Sequence, residues 1–122
     1  MLPQALVAIV DDDASLRAAL RRLLQATGFS VVAHACAAEF LESLDACKPD
    51  CVLLDLHMPG MNGFQLLEAL RNMRVWFPVI VVTADCSASN VSRAMAFGVL
   101  QCLNKPVEAS TLIDAISTAL RR

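Results

Sequence analysis

Short, almost wholly apolar runs alternate with stretches in which apolar residues return every three or four positions, and the alternation repeats five times along the chain. Residues 5–10 (ALVAIV) form the first run, which stops at three aspartates. A run without a polar face predicts a strand buried on both sides. From Ala14 the period changes: Leu16, Ala19, Leu20, Leu23 and Leu24 share a helical face up to Gly28, which closes a helix. Residues 30–34 predict a second strand, 37–47 a helix around Phe40, Leu41 and Leu44, and 51–55 (CVLLD) a third strand ending in an aspartate. After a loop with Pro59, Gly60 and Gly63, a third helix carries Leu66, Leu67, Leu70 and Met73. Strand four is expected at 79–83, helix four at about 89–97 and strand five at 99–103. Lys105-Pro106 opens the last helix, with Leu112, Ile113, Ile116 and Leu120.

Five β–α pairs with short connections predict an α/β fold of the flavodoxin-like, doubly wound (βα)5 type, a parallel sheet with helices on both faces. The common strand order is then 2-1-3-4-5. Strands one and three become neighbours, and the chain leaves them toward opposite faces. That opens a crevice at their carboxyl ends, where open α/β sheets bind ligands.

The chemistry-bearing residues collect at that rim. Strand one ends in Asp11, Asp12 and Asp13, strand three in Asp55 and strand four in Thr83, and Lys105 follows strand five. Aspartates after strands also serve as helix caps and turn formers, which is the reading for Asp13, directly before helix one. It does not account for Asp11, Asp12 and Asp55 together. Two unit charges about 4 Å apart repel by roughly 4 kcal/mol at an effective dielectric near 20. Three converging carboxylates therefore call for a cation or a raised pKa. All-oxygen ligands favour a hard ion, Mg2+ first and Mn2+ as substitute. Lys105 is one of only two lysines, and its ammonium would offset the excess charge. A divalent ion, a lysine, a hydroxyl and a spare carboxylate make the inventory for moving a phosphoryl group onto aspartate.

Composition removes other possibilities. The 122 residues include 57% hydrophobic and 18% charged, with ten Lys and Arg against twelve Asp and Glu. One domain is expected, residues 1–122 with a core over about 5–120, and it should bury roughly two thirds of the unfolded chain's surface without disulfides or metal. Five cysteines, an odd number without a C-x-x-C pair, argue against a disulfide framework and against zinc, and favour a reducing cytoplasm. The mean hydropathy of +0.55 raises the question of a membrane segment, but the longest uncharged run, residues 23–38, contains Gln25, Gly28 and His34 and is shorter than a span of about 20 apolar residues. Residues 1–4 carry no basic n-region of a signal peptide. A net charge of −2 argues against direct nucleic-acid contact. Arg17, Arg21 and Arg22 read as one solvated helix face.

The run Val10-Asp11-Asp12-Asp13, the run Leu53-Leu54-Asp55-Leu56-His57-Met58-Pro59-Gly60-Met61-Asn62-Gly63, then Val82-Thr83-Ala84 and Leu103-Asn104-Lys105-Pro106 together resemble the receiver domain of bacterial two-component response regulators. Four pieces in this order and spacing are highly specific. Within the family the Asp-Asp-Asp opening and Ala38-Glu39-Phe40-Leu41 look closest to receivers of the FixJ type. The resemblance implies that Asp55 is the phosphoacceptor, that Asp12 binds Mg2+ directly and Asp11 through water, and that the main-chain carbonyl of His57 completes the protein ligands. It implies Thr83 as the switch hydroxyl and Lys105 as the phosphate-binding lysine, with a possible cis peptide before Pro106. The donor would be a phosphohistidine on a partner histidine kinase. His57 and Asp85 fall where family members vary and tune dephosphorylation.

One position departs from the family. Strand five usually places Tyr or Phe three residues before the lysine, and here that residue is Cys102. The aromatic that swings inward when the threonine moves is absent, so coupling to the α4-β5-α5 face would be weaker or would use other groups, for example Phe97. Only Asp85 and Arg93 are charged between residues 75 and 104, where an average chain of that length has about seven charges. This poverty marks a contact surface, and homodimerisation on phosphorylation is expected through it. Any DNA-binding output domain, as in FixJ-like regulators, would lie outside this chain.

Three other readings compete: a small Mg2+-dependent phosphohydrolase of the haloacid dehalogenase kind, suggested by Asp11-x-Asp13, a flavodoxin-like cofactor binder, and a partner-binding pseudo-receiver. The first leaves Asp55-x-x-Met58-Pro59-Gly60 unused and provides no cap domain. The second needs a phosphate cradle where three aspartates would repel it. The third is opposed by the intact acidic pocket with Lys105.

Overall fold

The computed structural model describes residues 4–121; Met1, Leu2 and Pro3, part of the stretch read for a signal peptide, and Arg122 lie outside the described residues. Ten elements alternate as β1 (Leu6–Val10), α1 (Ala14–Thr27), β2 (Ser30–His34), α2 (Ala37–Ser43), β3 (Cys51–Leu54), α3 (Gly63–Asn72), β4 (Val79–Thr83), α4 (Ala88–Ala96), β5 (Gln101–Asn104) and α5 (Ala109–Leu120). The five strands are parallel in the order β2-β1-β3-β4-β5, as the alternation of apolar runs predicts. Among the described residues no helix is long and apolar enough to cross a membrane.

The strands read as continuous apolar runs because both faces of the sheet are covered. Ala8, Val10, Val52, Leu54, Val79 and Val81 face one cluster with Phe40, Phe64, Leu66 and Ala94 of α2, α3 and α4. Their neighbours Val7, Ile9, Leu53, Ile80 and Val82 face the other, with Leu20 and Leu24 of α1 and Leu112, Ala115 and Ile116 of α5. The period of two thus sends alternate residues of one strand into two cores. Between β1 and β3 the chain changes faces, and the strand-end loops part there.

Several element ends differ from the expected bounds for local reasons. β5 begins at Gln101 rather than Val99, because the Val99 amide still donates to the Ala94 carbonyl (3.3 Å) in the closing turn of α4. α2 stops at Ser43, where the Leu44 amide turns to Leu41 in a tightened bond of 3.3 Å. α5 starts at Ala109 with Glu108 as cap, not at Lys105-Pro106. Lys105 belongs to the sheet end: its amide donates to the Thr83 carbonyl at 2.9 Å, and the peptide before Pro106 is cis. Gly28 closes α1 at φ 109°, a left-handed conformation that a side chain disfavours.

Candidate functional site: an acidic pocket bridged by a lysine

β1 delivers Val10 into the sheet and then stops, so Asp11 is carried to the rim while remaining 3% exposed. Its Oδ1 accepts the amide of Asp13 at 2.9 Å, which turns the chain toward α1. Asp13 caps that helix, accepting the Leu16 amide at 3.1 Å, in agreement with its reading as a cap. Asp12 between them is exposed at the mouth of the pocket. β3 pairs with β1 as Val10 with Leu54, and the Asp55 amide donates to the Val10 carbonyl at 3.0 Å. This pairing sets the Asp55 carboxylate, 6% exposed, beside Asp11. Carboxylate oxygens of Asp11, Asp12 and Asp55 lie within 4.8 Å of one another.

Lys105 reaches this cluster from β5. Its Nζ donates to Asp11 Oδ2 at 2.8 Å and to Asp55 Oδ2 at 3.3 Å. Burial disfavours the ammonium, but the hydrogen bond to Asp11 and the charges of Asp11 and Asp55 outweigh it and hold the lysine pKa above its ordinary value. Among the described residues Lys105 is the cation that ion-pairs with Asp11 and Asp55, one ammonium against three carboxylates. An all-oxygen donor set with excess negative charge fits a hard divalent ion. Asp55 keeps its other oxygen, Oδ1, on the His57 amide at 3.2 Å, so both edges of this carboxylate are oriented.

The supporting backbone is tight. A Cβ on Gly63 would lie 2.7 Å from the Asp55 carbonyl oxygen and 2.8 Å from Leu56 Cα, so α3 can start against the loop after β3 only with glycine there. The reciprocal Asn62–Gln65 capping box holds the same entry. Sequence reasoning placed Gly63 merely in a loop; the three-residue offset of Asn62 and Gln65 was the signal for the helix start.

Arg17 corrects an expectation. It is not one more member of a solvated face with Arg21 and Arg22: its Nη1 donates to the Asp11 carbonyl at 2.8 Å. One helical turn from the Asp13 cap, it folds back over the end of β1, a contact that spacing along α1 could not reveal.

Thr83 ends β4 and is fully buried, with its Oγ1 accepting the Asp85 amide at 3.5 Å. His57 Nε2 and Asp85 Oδ2 approach to 3.9 Å across the mouth, both more than half exposed. Cys102 pairs with Val81 in the sheet and packs against the α2-α3-α4 core. Phe97 was expected to serve the α4-β5-α5 face. It closes α4 and packs against the same α2-α3-α4 core as Cys102, with the Arg71 guanidinium of α3 4.6 Å from its ring centroid.

Comparison with known proteins places this arrangement. Residues 7–117 match the family described as response regulator receiver domain. The transcriptional regulatory protein FixJ of Bradyrhizobium diazoefficiens is 33% identical over 114 residues, covering 93% of this chain and 56% of that protein. The DNA-binding transcriptional regulator NtrC of Escherichia coli is 32% identical over 119 residues, 98% of this chain and 25% of that protein. The crystal structure of FixJ-N superposes with a TM-score of 0.89 at 31% identity, covering 99% of this chain and 97% of that one. The chemotaxis protein CheY4 of Vibrio cholerae gives 0.90 at 28%, covering 97% and 100%. The chain spans about half the length of the FixJ proteins it matches.

Proposed function

The chain belongs to the response regulator receiver domain family, and from that membership we propose that it accepts a phosphoryl group on Asp55 from a phosphohistidine of a sensor histidine kinase, in a Mg2+-dependent transfer that it assists itself. The observation that carries this reading is the Asp55 carboxylate, buried and held between the Lys105 ammonium and the Asp11 and Asp12 carboxylates. An Asp55 oxygen attacks phosphorus, the bond from phosphorus to the histidine nitrogen breaks, and that nitrogen keeps the electron pair. Asp55 is suited to attack because the His57 amide orients it. Lys105, already within 3.3 Å of Asp55, is placed to neutralise a phosphoryl oxygen. The Thr83 hydroxyl, one strand over, would donate to another.

Asp11, Asp12, Asp55 and the main-chain carbonyl of His57 would hold Mg2+, or Mn2+ in its place. When bound, the ion supplies positive charge to the phosphoryl oxygens. The domain is a signalling acceptor rather than a turnover enzyme, acting in the cytoplasm without contacting membrane or nucleic acid itself. Phosphorylation is proposed to shift the α4-β5-α5 face, promote homodimerisation and control an output, most directly transcription through a domain outside these residues.

Incubation with Mg2+ and acetyl phosphate, followed by intact-mass measurement, tests the reading. One acid-labile phosphoryl group is expected on the wild type and none on Asp55→Asn. Equal labelling of both defeats the assignment.

A further inference from the structure

The loop that leaves Thr83 brings Cys86 against Cys102. Their Sγ atoms are 3.0 Å apart, although 16 residues separate them, and neither is engaged in a disulfide. Among the described residues no other two cysteine sulfurs are in hydrogen-bonding contact: Cys51 is buried in β3, Cys47 is exposed beyond α2, and Cys36 stands just before α2. The loop is already pinned to β5 at the same place, since the Cys86 amide donates to Asn104 Oδ1 at 3.1 Å. Cys86 thus joins the segment that follows the buried hydroxyl of Thr83 to the strand position that Cys102 occupies.

We propose that Cys86 and Cys102 form a reversible disulfide by exchange with a low-molecular-weight disulfide, and that this bond clamps the β4–α4 loop to β5. The two thiols are not equivalent. Cys102 packs against the core whereas Cys86 stands on the β4–α4 loop; burial, the hydrogen bond it shares with Cys86 and the nearby charge of Asp85 push the Cys102 thiol up to about 12, so Cys102 is the poorer first nucleophile and Cys86 leads. The Cys86 thiol releases its proton, and its thiolate attacks one sulfur of the small disulfide. The external S–S bond breaks and one thiolate departs. Cys102 then loses its proton, attacks Cys86 Sγ and expels the second small thiolate. Two protein thiols are oxidised to one disulfide, and the small disulfide is reduced to two thiols. Once Cys86 carries the mixed disulfide, it no longer opposes ionisation of Cys102.

The bond would couple redox state to the switch, because residues 84–87 could not move relative to β5 while it lasts. Formation of the disulfide is independent of Asp55 chemistry; its consequence for signalling rests on the phosphoacceptor reading.

The test uses the purified chain treated with oxidised glutathione and compared with chain kept in dithiothreitol. Peptide mapping without reduction should recover the Cys86 peptide joined to the Cys102 peptide, and dithiothreitol should release it. Cys102→Ser should accumulate glutathione on Cys86, whereas Cys86→Ser should take up less glutathione on Cys102, whose burial still disfavours its thiolate. Exposed Cys47 takes up glutathione in every variant and reports that oxidant was active. Absence of the joined peptide, or an adduct on Cys102 in Cys86→Ser equal to that on Cys86 in Cys102→Ser, overturns the proposed exchange. Hydrogen exchange then reads the clamp. Beryllofluoride with Mg2+ should change exchange over residues 84–98 in reduced protein, and this change should be lost in oxidised wild type but retained in oxidant-treated Cys102→Ser. A change that survives in the disulfide form overturns the clamp. If reduced protein does not respond to beryllofluoride, the phosphoacceptor reading and the signalling consequence both fail, while the peptide map still decides the disulfide.

Discussion

The ammonium of Lys105 donates to the Asp11 carboxylate across 2.8 Å, although 94 residues separate them in the chain. Asp11 is almost fully buried and Lys105 partly so. Truncating the lysine therefore leaves two buried carboxylates facing each other. Lys105→Ala is expected to destabilise the metal-free protein by up to about 3 kcal/mol, the low end for a broken buried pair because Lys105 retains some solvent. Mg2+ should narrow the gap. Urea unfolding of both proteins with and without Mg2+ measures this, and an unchanged midpoint in the variant would show that the pair is not a stabilising one.

Asp12 is the exposed member of the carboxylate triad. Its removal relieves repulsion but also takes away a ligand. Asp12→Ala should melt higher than wild type without metal, and should gain much less from added Mg2+, since ligand stabilisation follows site affinity. Thermal melts over a Mg2+ series decide it; a variant that melts lower without metal contradicts a repulsive pocket.

Gly63 bears on the site through its backbone. With a Cβ placed 2.7 Å from the Asp55 carbonyl oxygen, Gly63→Ala must displace α3 or the Asp55 loop. A loss of about 1–3 kcal/mol is expected, the usual cost of overpacking, together with slower labelling of Asp55 by acetyl phosphate. Wild-type stability and labelling in the variant would mean that the loop yields freely.

His34 has a buried Nε2 without a partner, and its ring meets Phe40 edge-on at 5.6 Å. Burial lowers its pKa, partly offset by Glu39. The fold therefore prefers neutral histidine, while the unfolded chain takes up a proton near pH 6.5. Stability from this residue is present above about pH 6.5 and is lost as the pH falls from there toward the lower folded pKa, below which it levels off. His34→Phe should flatten that part of the melting-temperature profile. Parallel slopes for both proteins between pH 7.5 and 5 would refute the assignment.

Self-association is the remaining expectation. A tenfold rise in dimer affinity requires about 1.4 kcal/mol, within reach of a small repacking near exposed Met95 on α4. Sedimentation across a concentration range should show a dimer with beryllofluoride and a monomer without it. Two monomers would remove this surface from the proposal.

The alternation of apolar runs and helical periods determined the element order and the parallel sheet, because a strand covered on both sides has no polar face to display and a helix on its surface must show one. Strand-end placement likewise made Asp11, Asp12, Asp55, Thr83 and Lys105 legible as one rim. Tertiary structure alone decided which of these groups touch. Lys105 meets Asp11 and Asp55 because β5, two strands from β3, ends beside β4 and sends a long side chain across the crevice. Arg17 turns to the Asp11 carbonyl and Phe97 to Arg71, choices made by side-chain reach and helix-end geometry that no period encodes. The contact of Cys86 with Cys102 depends on the path of one loop over one strand. Periodicity reports which face a residue occupies within its own element; a contact between elements depends on how the elements are set against one another.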